Sequence, residues 1–383
     1  MTARKKELDQ TLKWNESGSE MIALWRSESG HPPPRRVVAA DDSMKADAAY
    51  RLACEGTALL WRGDFQNARQ LLNAMARRAD RRPVKSAPMP EGFHLHRLAR
   101  SQRSRILSML LIPFDPGHVI RLRRAPDVRE ACLEVHGESD LPYVASLREL
   151  LGIIGAHEWR KKGVFIRELA ERIHPHYGVF SPVRGEYLEL VAKAPLPEAL
   201  KSHSIAFDIG TGTGVLAALL AKRGIARIIA TDQDERALAC ARENISGMGL
   251  EEKIELVRKD LFPEGRASLI VCNPPWVPAR PSSALEHAVY DPESRMLKGY
   301  LEGLASHLEE KGEGWLILSD LAEHLKLRER SELLAMIENA GLAVFGKLDA
   351  RPHHPKVGDT ADALHEARRL EVTSLWRLGL RPR

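Results

Sequence analysis

The sequence predicts an α/β protein: a doubly wound, seven-stranded, mostly parallel sheet with an N-terminal helical domain. Three observations predict it. From about residue 200, short apolar runs alternate with amphipathic helical patterns, the order of a parallel sheet with crossover helices. A glycine-rich turn, Gly210-Thr211-Gly212-Thr213-Gly214, joins the first of those runs to the first of those helices. Upstream of residue 160 the apolar residues recur at helical spacing instead.

Taken in order, strands are expected at 205–209, 227–231, 254–257, 268–272, 315–318, 342–348 and 372–378. Helical patterns fill 215–222, 237–245, 301–308 and 333–339. No crossover helix is read between the last two strands, so they are expected as an antiparallel hairpin at the sheet edge. Residues 1–42 are polar, contain Pro32-Pro33-Pro34, and are expected as a loose tail. Residues 43–160 are expected as a helical accessory or substrate-recognition domain. Within it Ala49, Leu52, Ala53, Gly56, Leu59 and Leu60, then Ala68, Leu71, Leu72 and Met75, suggest a helix–turn–helix pair. Residues 161–383 carry the sheet.

An arginine-dense stretch follows that pair: Arg77, Arg78, Arg81, Arg82, Lys85, then Arg97, Arg100, Arg103 and Arg105. It is either a solvated helix face, with Leu98, Ile106, Leu107, Leu110 and Leu111 opposite, or a phosphate-binding surface. The formal net charge of +5 is compatible with a nucleic-acid partner and does not demand one. Four cysteines, Cys54, Cys132, Cys240 and Cys272, stand singly, which removes support for zinc ribbons, redox pairs and disulfide frameworks. His353, His354 and His365 have no ligand partners at metal-binding spacing, so no metal is expected. The polar N-terminus and the lack of a long apolar run point to a cytoplasmic protein away from membranes.

The chemistry concentrates at strand ends. Asp208-Ile209-Gly210-Thr211-Gly212-Thr213-Gly214 leads from the first strand into a helix. A dinucleotide fingerprint needs glycine at 215, where Val215 stands, so D-x-G-x-G-x-G remains, the pattern of S-adenosylmethionine-binding loops. Asp232 ends the second strand, where a carboxylate can accept from two ribose hydroxyls. Asp260, with Leu261 beside it, follows the third strand and is placed for the adenine edge. Asn273-Pro274-Pro275-Trp276 follows the fourth. Its prolines lack N–H groups and fix φ, which makes a stiff ledge rich in acceptors and poor in donors. Such a ledge suits a planar NH2 group, and a flat aromatic ring lies beside it. Arg280, His287, Tyr290 and Arg295, downstream of the ledge, are candidates to line an acceptor cleft.

With these motifs in this order, residues from about 178 to 383 resemble a class I S-adenosylmethionine-dependent methyltransferase of the small-domain N-methyltransferase group. Asn273-Pro274-Pro275-Trp276 is similar to that group's [DN]-P-P-[YFW] motif. Val179-Phe180-Ser181-Pro182-Val183-Arg184-Gly185-Glu186, with Tyr290-Asp291-Pro292-Glu293-Ser294, resembles release-factor glutamine methyltransferases. Gly178-Val179-Phe180-Ser181 equally resembles ribosomal RNA guanine-N2 methyltransferases. The glutamine enzymes typically carry Tyr at the position of Trp276, and the guanine enzymes Phe-His at Trp276-Val277. The resemblance implies S-adenosyl-L-methionine as cofactor, held by Asp208, Gly210, Gly212, Gly214, Asp232, Asp260, Leu261 and Asn273. It implies catalysis by Asn273, Pro274, Pro275 and Trp276 on an NH2 acceptor in RNA or on a glutamine amide of a protein. Trp276 would stack on the acceptor plane. A non-catalytic RNA-binding protein on the same fold is the alternative.

Overall fold

The computed structural model describes residues 11–81, 87–182, 185–281, 286, 289–351 and 364–381. The chain divides into two compact units, Met1–Ala87 with His94–Glu158, and Pro88–Phe93 with Trp159–Arg383.

The first unit is built on a six-stranded sheet. Its strands are β1 (Thr11–Glu16), β2 (Ser19–Arg26), β3 (Arg36–Ala40), β4 (Thr57–Trp61), β5 (Leu110–Phe114) and β6 (Tyr143–Ser146), in the order β1-β2-β6-β5-β4-β3. Two expectations are corrected here. Residues 11–40 are not a loose tail, because they supply three of the strands. Their signal is a period of two that a polar outer face conceals: Leu12 and Trp14 are buried while Lys13 and Asn15 are exposed. Ser17 and Gly18 close the β1–β2 hairpin as a two-residue turn with φ of 52° and 82°. Nor is the region helical throughout. Leu59 and Leu60 belong to β4, all five of whose residues are buried, and Gly56 at φ 80° ends the helix Ala46–Cys54 before it. A short run buried on both faces has no periodicity to separate strand from helix. Leu98, expected on an apolar face, is exposed.

The helix Phe65–Asp80 starts at Asp64, whose side chain accepts from the N–H groups of Gln66 and Asn67 at 2.8 and 3.4 Å. Its carboxylate also pairs with Arg123 and Arg124 at 2.9 and 2.7 Å. In the arginine stretch, Arg78 pairs with Asp47 and Arg103 with Asp80, both at 2.6 Å. Arg82 and Lys85 lie outside the described residues.

The second unit holds a small hairpin, β7 (Val164–Ile166) and β8 (Glu171–Ile173), and then the large sheet. Its strands are β9 (Ile205–Ile209), β10 (Arg227–Asp232), β11 (Ile254–Arg258), β12 (Ala267–Cys272), β13 (Leu308–Ser319), β14 (Leu342–Ala350) and β15 (Thr373–Leu380). They lie in the order β11-β10-β9-β12-β13-β15-β14. The first five are parallel, and β15 runs antiparallel to both β13 and β14. This is the doubly wound sheet that the alternation predicts, with the antiparallel edge expected of its last two strands, although a short helix, His365–Leu370, lies between those strands where none was read. Apolar layers cover both faces, one around Leu216, Leu220 and Ile228, the other around Phe207, Tyr300, Leu304 and Leu316. The strand order reverses between β9 and β12, which opens a crevice at their carboxyl ends.

Gly314 lies in β13 under the helix Arg295–His307. A Cβ there would sit 2.3 Å from Leu304 Cδ2 and 2.9 Å from Leu304 Cδ1. Leu304 is fully buried. Gly314→Ala is therefore expected to cost about 1–3 kcal/mol by overpacking. Urea unfolding measures this, and an unchanged midpoint would contradict it.

Candidate active site

β9 and its two neighbours end at matched levels. Ile209 is the register partner of Thr231 on β10 and of Cys272 on β12. Gly210, Asp232 and Asn273 therefore stand side by side one residue beyond those pairs, Asp232 as the last residue of β10. The Thr231 carbonyl accepts from the N–H groups of Gly210 and Thr211 at 2.9 and 2.8 Å, which seats the glycine turn on β10.

Gly210, Gly212 and Gly214 adopt φ of 73°, 56° and 79°, a region that side-chain-bearing residues rarely enter. A Cβ on Gly210 would lie 2.5 Å from Met296 Cε, and one on Gly214 3.2 Å from Ala241 Cβ. Among the described residues nothing stands within 4 Å of the Cβ direction of Gly212. The turn is thus packed at both ends and open in the middle. Gly212 N–H donates to Asp232 Oδ2 at 3.1 Å, and Asp234 N–H donates to Asp232 Oδ1 at 3.0 Å. Asp232 is half-buried, and burial pushes its carboxyl above the ordinary aspartate range.

Asp208 is fully buried behind the turn. Its Oδ2 accepts from Thr211 Oγ1 at 2.7 Å and from Ala217 N–H at 3.1 Å, so one oxygen ties the turn to the first turn of the helix Val215–Lys222. Its Oδ1 is buried without a partner. Desolvation pushes this carboxyl up to about 6, against the pull of those two hydrogen bonds. Asp260 is exposed after β11 and pairs with Arg295. Leu261 takes φ 68°, and its carbonyl accepts from Thr231 Oγ1 at 2.6 Å.

On the ledge, Pro274 is buried and Asn273, Pro275 and Trp276 are half-buried. Trp276 Nε1–H donates to Asn273 Oδ1 at 2.9 Å. Its ring packs against three apolar clusters of this unit. Val277 then pairs with Tyr290 in a short bridge. Arg280 is exposed, and His287 lies outside the described residues, as do Val183, Arg184, His353 and His354. Val179 is buried against Ala237 and Cys240.

Two residues to which sequence reasoning gave no role of their own hold these parts together. Asp291 N–H donates to the Val277 carbonyl at 2.9 Å, and its carboxylate accepts from Met296 and Leu297 N–H at 3.0 and 3.1 Å. It joins the ledge to the start of the helix that supplies Met296. An Asp-Pro pair ahead of an apolar periodic run was the available signal. Asn244, buried on the helix Glu235–Gly247, accepts from His174 N–H at 2.7 Å and donates to the Thr213 carbonyl at 3.0 Å. No local pattern marks it.

Residues 172–337 match the methyltransferase small domain family. A release factor glutamine methyltransferase from Cereibacter sphaeroides is 35% identical over 162 residues, 38% of this chain and 55% of that protein. A tRNA1(Val) (adenine(37)-N6)-methyltransferase from Bacteroides thetaiotaomicron is 33% identical over 137 residues, 33% of this chain and 56% of that one. A ribosomal protein uL3 glutamine methyltransferase from Neisseria gonorrhoeae is 43% identical over 98 residues, 24% of this chain and 33% of that one. The chain thus spans about half the length, or less, of these curated relatives. Among solved structures, a ribosomal protein L11 methylase from Lactobacillus delbrueckii subsp. bulgaricus overlays with a TM-score of 0.33 at 20% identity, over 46% of this chain and 70% of that one.

The buried Asp208 carboxyl makes a pH prediction. Its folded-state value, about 6, lies above the ordinary 3.8, so between those values the folded protein holds a proton that the unfolded chain has released. Its effect favours folding at the acid end of that window and is lost as pH rises through about 6. Asp208→Asn keeps one acceptor oxygen for Thr211 and Ala217 and never ionises. Between pH 4 and 7.5 the difference in unfolding free energy should move toward the variant by on the order of 2–3 kcal/mol. Denaturant titrations at the two pH values test it, and a difference independent of pH would contradict the assignment.

Proposed function

We propose, from the match of residues 172–337 to the methyltransferase small domain family, that this protein is an S-adenosylmethionine-dependent N-methyltransferase acting on a planar NH2 group. The acceptor is a glutamine amide of a protein or an exocyclic amino group of an RNA base. The observation that carries this is the register of β9, β10 and β12, which sets the glycine turn, Asp232 and Asn273 at one crevice. The relatives act, by name, one on a glutamine and the other on adenine N6, and both of those acceptors carry a planar NH2 group.

The residues present fit the cofactor. The open side of Gly212 gives a backbone that a ligand can approach closely, and half-buried Asp232 has lone pairs left for a ribose diol. When bound, S-adenosylmethionine supplies a methyl on a cationic sulfonium: the C–N bond forms as the C–S bond breaks, and the electron pair stays on a neutral thioether sulfur. The chain's task is the acceptor nitrogen, whose lone pair is delocalised into its π-system. Asn273 Oδ1 accepts one N–H and the Pro274 carbonyl the other, which holds the nitrogen toward tetrahedral geometry. Both acceptors favour the positive charge that develops there. Holding nitrogen and methyl at attack distance contributes the remainder. The methylated nitrogen then sheds a proton to solvent, so no strong base is required.

Two substitutions separate the roles. Asp232→Ala is expected to weaken S-adenosylhomocysteine binding by at least about tenfold, the cost of lost charge-assisted hydrogen bonds. Asn273→Ala should leave that affinity within about twofold of wild type, which takes Asn273 out of the cofactor-binding set that the resemblance implies, and lower methyl transfer by about two orders of magnitude. Calorimetry reads the first. The second is read by labelled methyl incorporation into RNA and protein fractions from cells lacking the gene. Unchanged affinity in Asp232→Ala, or full transfer by Asn273→Ala, would remove the basis for these roles.

A further inference from the structure

Trp276 does not stand as a free aromatic platform. Its indole N–H is engaged with Asn273 Oδ1 at 2.9 Å, three residues back along the ledge, and its ring is wedged among three apolar clusters. An Asn side chain has two nearly isosteric orientations, one presenting oxygen and the other NH2. Only the first accepts from a substrate N–H; the second meets it donor to donor. Neighbouring groups must choose between them. Pro274 and Pro275 have no N–H and cannot choose. The indole Nε1–H is a donor only, so it pairs with Oδ1 and never with Nδ2. It uses one lone pair of Oδ1 and leaves the other for the acceptor.

We propose that Trp276 is a positioning residue that acts through Asn273: its indole N–H locks the amide with Oδ1 toward the acceptor, so that the ledge offers one lone pair from Asn273. This rests on the amino-group reading above and adds a role for a donor where that reading needs only acceptors. The packing supports it. A ring wedged among clusters cannot follow the amide if it turns, so the indole fixes the amide and not the reverse. Tyr or Phe at this position would lack that fixed, donor-only N–H.

The test uses the symmetry of a carboxylate. The side chain introduced by N273D has two equivalent acceptor oxygens and needs no orienting donor, so N273D is a background in which the lock is redundant. W276F keeps an aromatic ring and removes the donor. In the Asn273 background it is expected to lower kcat for methyl transfer about fivefold to tenfold, the value of one neutral hydrogen bond, with S-adenosylhomocysteine affinity unchanged. In the N273D background the same change should cost less than about twofold. Equal losses in both backgrounds would mean that the ring acts by packing or stacking, and no loss in either would mean that the donor does nothing; each overturns the proposal. A second measurement keeps the tryptophan intact. With indole-¹⁵N tryptophan in the full chain, the Trp276 resonance is assigned by its loss in W276F. It should move upfield in N273A, and a resonance that stays in place would overturn the hydrogen bond itself. Wild-type protein that transfers no methyl to any RNA or protein fraction would overturn the amino-group reading instead, a result distinct from the others.

Discussion

Everything at the crevice depends on β9 and β12 being hydrogen-bonded neighbours that end at one level. The pairing of Ile209 with Cys272 puts the glycine turn and the ledge a strand spacing apart, about 5 Å. Neither motif has that proximity in the sequence, where they are separated by three strands and two helices. The strand order supplies it, because the sheet grows outward from β9 through β10 to β11 and then returns to β12. A one-residue slip of either strand would turn its inward side chains outward and lift one motif away from the other. The apolar layers on both faces of the sheet make such a slip costly, since β12 is buried along its whole length.

Within that frame, two buried carboxylates do the joining. Asp208 ties the turn to the helix after it, and Asp291 ties the ledge to the helix Arg295–His307. Both carboxyls are pushed up by burial; Asp208 is compensated first by the Thr211 hydroxyl and then by the Ala217 N–H, and Asp291 by N–H groups at the start of its helix. Acids so placed are favoured by the helix N-terminal dipole and do not bring a competing ion into the crevice. Asp260, by contrast, is exposed and takes an arginine partner. Met296 closes the circuit, since it follows the Asp291 cap and packs on Gly210.

The sheet of the second unit was legible because its strands are short, apolar and separated by amphipathic helices. Residues 205–209 read from the sequence coincide with β9, and 215–222 with the helix after it. The strand read at 315–318 is in fact the apolar end of β13, which begins at Leu308. Its first half, Glu309-Glu310-Lys311-Gly312-Glu313, has the composition of a loop; it is bracketed by the pairs of Leu308 with Ala267 and Glu313 with Leu269 of β12, across a shift in register. The first unit was misread for two opposite reasons. β1 looked too polar because half of each strand faces solvent, and β4 looked helical because none of it does. Periodicity reports one-sided burial, and neither case offers that over a long enough run.

The site divides along the same line. The placement of Asp208, the glycines, Asp232 and Asn273 was legible because each stands in the last residues of a strand or just after one, and strand ends are where such a sheet binds ligands. Asp291 and Asn244 were not, since their partners, Val277 and the Thr213 carbonyl, are brought to them only by the folded chain. Trp276 falls between the two. Its place beside the ledge is a sequence fact, but its role turns on which way an indole N–H points. A stacked platform and an amide lock are the same four letters in the chain. What distinguishes them is tertiary: the ring is held by clusters drawn from both faces of the sheet, and that leaves the N–H facing Asn273 Oδ1.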